Sequence, residues 1–165
     1  MSTLQVDSIK TSGGTAALNI DNTGRVVQPN KPAFHIRCQS TAQLDFTSGV
    51  TLAGSTYYQS ATLEEQGGSN FNVSTGQYVA PVTGFYFFHF GARFDGFGSG
   101  YMYVTLEGSK QIARSLSSLT GTYVQTTTSG ACQLDAGEHI KVVVTSSADS
   151  SIELDADSYF QGFLI

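Results

Sequence analysis

The 165-residue chain is predicted to be all-β, a C-terminal sandwich preceded by a short β-meander, and three observations predict it. Runs of alternating apolar and polar residues recur along the chain, the pattern of strands with one buried face. Chain breakers punctuate these runs at short spacing, at Gly13-Gly14, Asn22-Thr23-Gly24, Gly67-Gly68, Gly84, Gly96 to Gly100, Gly108, Gly121 and Gly137. No segment keeps a 3.6-residue apolar period between helix caps for about a dozen residues, the length a helix needs. That cadence points to a sandwich or barrel.

The first 33 residues carry three short apolar patches, Leu4/Val6, Ala17/Leu18/Ile20 and Val26/Val27, separated by a Ser-Gly-Gly turn and an Asp-Asn-Thr-Gly turn. They read as a small meander. Pieces below about 40 residues rarely bury enough surface to offset their conformational entropy, so this arm must dock on something. The residues assigned to that docking are Leu4, Val6, Ile9, Leu18, Ile20 and Val26. Pro29 and Pro32 mark a linker, because proline resists pairing inside a sheet. The boundary is placed at Lys31, giving an arm of residues 1–31 and a main domain of 32–165.

In the main domain, Gly84-Phe85-Tyr86-Phe87-Phe88-His89-Phe90 has five aromatics in six consecutive side chains after the glycine. A strand sends alternate side chains to opposite faces, so both faces of this one are apolar. One face enters a core. The other needs a second cover, from a central position in a monomeric double layer or from subunit association. Met102/Val104/Leu106 alternate with Tyr101/Tyr103/Thr105, and Ile140/Val142/Val144 with Lys141/Val143/Thr145, as half-buried strands do. The chain closes on Phe163-Leu164-Ile165, predicted to lie buried in a sheet although ends are usually wet.

The ordered set of motifs resembles the complement C1q and tumour necrosis factor-like family over residues 32–165. It comprises Pro32-Ala33-Phe34, Phe71-Asn72, the run from Gly76 through Pro81 and Gly84 to Phe88, Val104 to Gly108, Leu134 to Val142, and Ser158 to Ile165. The resemblance implies a jelly roll of about ten strands and a homotrimer with aromatic and aliphatic side chains around a threefold axis. The residues assigned to that trimer interface are Phe85, Phe87, Tyr101, Tyr103, Phe160, Phe163 and Ile165. Unlike animal members, the sequence has no Gly-X-Y stalk and no secretion signal. The segment from Ser2 to Lys10, leading through Ile20 to Val26, resembles openings of tailed-bacteriophage structural proteins, notably those of cyanobacteria and marine bacteria.

Composition narrows the function further. Only 13% of residues are charged, 13 Asp and Glu against 8 Lys and Arg, and no basic run is available to neutralise successive phosphates. Nucleic acid is a poor candidate partner, and with no apolar stretch near 18 residues membrane insertion is not expected. Cys38 and Cys132 are expected to be free thiols. His35, His89 and His139 lack neighbours at metal-ligand spacing and read as packed or surface histidines. No Gly-x-Ser-x-Gly elbow is present, and Gly96 to Gly100 lacks the lysine and strand-to-helix setting of a phosphate loop, so it reads as a strand connection. Glu153, Asp155 and Asp157 stand at i, i+2 and i+4. On a strand they share one face, a weak calcium candidate set against a solvated face that discourages edge pairing.

These observations predict a non-enzymatic protein without cofactor. The expectation is a homotrimeric virion surface protein, assembled in a host cytoplasm and displayed on the virion exterior. Its first form is a capsid decoration or cement protein held by the arm through other virion proteins, the major capsid protein or the tail and baseplate. The alternative is a short tail fibre or receptor-binding tip recognising a host surface glycan or protein. A carbohydrate-binding module is an alternative from a different class, with Tyr57, Tyr58, Tyr101, Tyr103 and Tyr123 as stacking surfaces, against the more ordinary reading of tyrosines as trimer-interface residues.

Overall fold

The alternating runs form antiparallel pairs in the structure, a computed structural model that describes residues 6–40, 49–95, 99–120, 122–147 and 152–165. Leu4 of the arm, Gly121, and Gly96, Phe97 and Gly98 lie outside the described residues. Ser99 and Gly100, expected in a connection, already belong to a strand.

The arm folds as a three-stranded sheet of β1 (Ser8–Lys10), β2 (Ala16–Ile20) and β3 (Val26–Val27). Its second turn is built by one carboxylate. Asp21 Oδ1 accepts from the Thr23 and Arg25 backbone N–H groups at 2.9 and 3.0 Å, and Asp21 Oδ2 accepts from Arg25 Nε at 2.7 Å. Hydrogen bonds from the Thr23 hydroxyl and Arg25 hold this carboxyl well below the usual carboxylate range.

The main domain continues with β4 (Ala33–Arg37), β5 (Val50–Thr51), a 3-10 turn at Ser60–Thr62, β6 (Glu64–Gln66), β7 (Phe71–Asn72), β8 (Gln77–Val79) and β9 (Gly84–Asp95). It is completed by β10 (Ser99–Gly108), β11 (Ala113–Thr120), β12 (Tyr123–Leu134), β13 (His139–Ser146), β14 (Glu153–Leu154) and β15 (Tyr159–Leu164). Sheet I has the order β12-β9-β15-β4-β6, with β14 beside the end of β9. Sheet II has the order β11-β10-β13-β8-β7, with β5 beside β13. Two five-strand rows stacked face to face are the jelly-roll architecture expected from the sequence, with β5 and β14 as short additions. The C-terminal strand β15 lies in the middle of sheet I, between β9 and β4.

Strand alternation decides what fills the space between the sheets. Tyr86, Phe88, Phe90 and Phe94 of β9 point inward and are fully buried, against Met102, Val104 and Leu106 of β10 and Ile140, Val142 and Val144 of β13. Each such side chain contributes about 1.5–3 kcal/mol of transfer free energy. Phe34 sits at the centre, stacked on Tyr78 at 4.7 Å and Phe71 at 5.0 Å, and edge-on to Phe160 at 5.0 Å. Phe160 is therefore a core residue and not an interface residue, correcting the sequence expectation: it stands three positions from Phe163 on one strand, so the two point to opposite faces.

Close approach sets two glycines. A Cβ on Gly162 would stand 2.5 Å from the Phe88 ring and 2.9 Å from the Phe34 ring, so β15 crosses the aromatic centre only without a side chain there. Gly76, at φ +66°, lets the chain turn against the Leu52 carbonyl, which any Cβ would overlap. Cys38 and Cys132 are both free, and burial pushes the Cys38 thiol far above its ordinary value.

Candidate functional site: the outward face of sheet I

The same alternation that fills the core aims the odd-numbered residues of β9 and β15 away from it. Register places Phe163 opposite Phe87, and the two rings lie 5.5 Å apart. The Ile165 N–H donates to the Phe85 carbonyl at 2.7 Å, carrying the chain end onto the same patch. Phe85, Phe163 and Ile165 are 53%, 42% and 62% exposed, an apolar cluster that the described residues leave uncovered. Rings of this size left in water mark an association surface rather than a scattered surface residue.

The middle of the face is aromatic and polar. Tyr159 pairs with Gly91, and a Cβ on Gly91 would meet the Tyr159 ring at 2.9 Å, so the glycine makes room for the ring to lie flat. His35 and His89 flank that ring at centroid distances of 5.6 and 5.5 Å. The Tyr159 hydroxyl is hydrogen-bonded to His89 Nε2 at 3.1 Å, and His35 Nδ1 donates to Gln161 Oε1 at 3.2 Å. Burial lowers the His89 pKa below its ordinary value. The two histidines, read from sequence as packed or surface residues, share one face with Tyr159. Strand parity on β9 is the local signal that would have placed His89 on this face, whereas the β4–β15 pairing that brings in His35 is long-range.

The far end is ionic. Arg93 grips Asp95 through Nε and Nη2 at 3.0 Å each and reaches Asp155 at 3.9 Å. Arg37 Nη2 lies 3.4 Å from Asp157, and the Arg93 guanidinium sits 5.1 Å over the Tyr123 ring. This corrects the expectation that Glu153, Asp155 and Asp157 share a strand face. The strand is only Glu153–Leu154, and the chain then turns, with the Asp157 N–H donating to Asp155 Oδ1 at 2.8 Å. Among the described residues no group of three or more His, Cys, Asp and Glu side chains is arranged to hold a metal ion.

Other assigned residues fall elsewhere. Tyr101 and Tyr103 lie on the outward face of sheet II, because their neighbours Met102 and Val104 fill the core from that sheet. They are not part of the face that carries Phe85 and Phe163. Their rings meet edge to face at 5.2 Å, with the Arg114 guanidinium 3.7 Å over Tyr103. Tyr58 is fully buried and Tyr57 nearly so, which removes both from the set of stacking surfaces. Ser109 Oγ lies 3.4 Å from His139 Nδ1 and accepts from the His139 N–H at 3.1 Å. That hydroxyl, just after β10, ties the start of β13 to the end of its neighbour β10.

In the arm, register gathers the docking residues. Ile9 opposes Leu18 and Ile20 opposes Val26, so these four side chains share one face of the small sheet. Ile9, Ile20 and Val26 are 53%, 40% and 63% exposed, and Val6, just before β1, is 39% exposed. An open cleft of about 560 Å³ separates arm from main domain, lined by Ala17, Asn30 and Lys31 on one side and Pro81, Leu164 and Ile165 on the other.

The family model for the C1q domain matches residues 55–165. Among solved structures, the chain is similar to murine APRIL crystallised at pH 5.0, with a TM-score of 0.57 and 15% identity over 82% of this chain and 99% of that one. That likeness is one of fold. A search of curated proteins finds no match.

Proposed function

The chain belongs to the C1q domain family, whose domains typically assemble as trimers and are generally non-enzymatic, and from that premise we propose that three copies pack around the outward face of sheet I to form a homotrimeric binding and structural protein. The observation that carries this reading is the cluster of Phe85, Phe87, Phe163 and Ile165, aimed away from a core that Tyr86, Phe88 and Phe160 already fill. Burying three copies of such a patch gives the apolar centre that permanent interfaces have. His35, His89 and Tyr159 form the next layer, and the arginine–carboxylate pairs lie at the rim.

Within this reading the arm, residues 1–31, attaches the trimer to a larger particle, and the jelly roll faces outward. The resemblance of the arm sequence to openings of tailed-phage structural proteins supports a virion exterior, with capsid decoration or cementing as the role. The whole chain's low charge and acidic balance, 13 Asp and Glu against 8 Lys and Arg, agree with a partner made of protein. Mass in solution tests the trimer, and labelling of intact particles tests the location. A protein that sediments as a single subunit removes the first proposal. Particles that still incorporate the protein lacking residues 1–31 remove the second.

A second reading, recognition of a host surface glycan, is favoured by one observation. Tyr101, 47% exposed, and Tyr103 form an aromatic pair with Arg114 on the outward face of sheet II. Sugar rings stack on such surfaces. Glycan binding that free sugar competes away and that Tyr101→Ala abolishes distinguishes this reading from cementing.

A further inference from the structure

We propose that the apolar face of the arm sheet is an interface between copies of this chain: in the trimer the three arms cover one another's Ile9, Leu18, Ile20 and Val26. The inference rests on the trimer reading above and names the partner of a surface which that reading leaves open. It moves these four residues from gripping a particle to holding the arms together. The two turns of the arm remain for the particle.

Three observations carry it. The first is the face itself: cross-strand register puts the four side chains together, and exposure of 53%, 40% and 63% at Ile9, Ile20 and Val26 shows that their own main domain does not cover them. The second is what ties the arm down within one subunit. Gln66 Nε2 of the main domain donates to the Gln28 carbonyl at 2.6 Å, and within the arm Asn30 Nδ2 donates to the Ala16 carbonyl of β2 at 2.8 Å, fixing β2 to the linker end. These polar tethers position the arm and bury none of its apolar face.

The third is continuity. Ala17, on the opposite face of β2, lines the same cleft as Leu164 and Ile165, and Ile165 belongs with Phe85 to the exposed patch on sheet I. The arm therefore leaves the main domain at the end where the three subunits meet. Short tethers hold linked modules at effective concentrations on the order of millimolar. Three apolar faces delivered to one place find each other before any outside partner, and a three-stranded sheet too small to stand alone gains the cover it lacks.

Trypsin cleavage at Lys10 and Arg25 in the full-length protein tests this, with mass in solution measured on the same samples. Ile20→Asp combined with Val26→Asp is expected to leave the main domain trimeric and to speed arm cleavage roughly tenfold or more, as the population of the open arm rises. Val27→Asp, on the opposite face and 42% exposed in the native sheet, is expected to leave the rate unchanged. Phe163→Asp, which separates the subunits with the arm sequence intact, is expected to speed cleavage as much as the double variant does. A trimeric double variant cleaved as slowly as the native protein overturns the inference, as does a monomeric Phe163→Asp protein whose arm stays protected. A native protein that is itself monomeric overturns the trimer reading and this inference with it.

Discussion

The Tyr159 hydroxyl and His89 Nε2 are hydrogen-bonded at 3.1 Å on the side of sheet I that faces away from the core, with the Tyr159 ring held between His89 and His35. No carboxylate stands opposite His89: its neighbours across β12 and β15 are Ser129 and Gln161. Glu64 lies across from His35 on β6. The face is thus arranged around a neutral His89, which the proposed trimer would bury further.

The pH dependence follows. Desolvation lowers the His89 pKa below 6.5 in the folded protein, so the unfolded chain binds a proton first as pH falls. Stability is full above about pH 6.5 and declines below it, toward the lower folded value. Thermal melting followed from pH 7.5 to pH 5 is expected to show a falling midpoint, with trimer mass lost before the fold is. His89→Gln, which keeps a hydrogen-bonding partner for Tyr159 and cannot titrate, is expected to flatten that slope. An unchanged slope in the variant assigns the effect to other groups.

Two phenylalanines of β15, three positions apart, separate assembly from folding. Phe163→Asp places a charge in the apolar patch and is expected to yield folded monomers with native circular dichroism. Phe160→Ala opens a hole beside Phe34, Phe88 and Phe90 and is expected to cost about 3–5 kcal/mol of stability. Denaturant melts and solution mass together decide the matter; equal behaviour of the two variants contradicts the assignment of faces.

How legible this was in the sequence depends on the range of the information needed. The aromatic strand was readable because alternation is local: Phe85 and Phe87 stand on one side and Tyr86, Phe88 and Phe90 on the other in any strand. The same rule, applied to β15, separates Phe160 from Phe163. Grouping them by hydrophobicity alone put a core residue in the interface. Tyr101 and Tyr103 were grouped with the Phe85 face for a different reason. Whether β10 pairs into sheet I or sheet II depends on its partners β11 and β13, which local pattern does not contain. The carboxylates of 153–157 were read as one long strand, whereas pairing with β9 stops at Leu154 because the chain turns through the Asp155 cap. Histidines so far apart in sequence as His35 and His89 meet only because β15 runs between β4 and β9.

Gly162 is expected to tolerate no side chain. An alanine methyl would press into Phe88 and Phe34, both fixed by stacking in the core, and overpacking of this kind costs about 1–3 kcal/mol. Gly91→Ala meets the Tyr159 ring, which has solvent on its far side and can tilt. A smaller loss of melting temperature but a weaker trimer is expected there, because the tilted ring breaks the hydrogen bond to His89. Reversal of this order, with Gly91→Ala the more destabilising in a monomeric background, contradicts the placement of the two residues.

The acidic cluster supplies a last expectation, that added calcium or a chelator leaves the melting temperature unchanged within about 1 °C, since only a ligand with affinity for the folded state shifts it. Asp95 and Asp155 are already neutralised by Arg93, and Asp157 by Arg37, so a cation has to displace a guanidinium to bind. Arg93→Ala removes that competitor. It leaves Asp95 and Asp155 without their cation, with Glu153 across from Asp95 on the neighbouring strand, and like charges so placed oppose pairing of β14 with β9. The variant is expected to lose stability at low salt, to recover part of it as salt screens the repulsion, and to respond to calcium where the native protein does not. A calcium-dependent shift in the native protein shows instead that the carboxylates exchange arginine for metal.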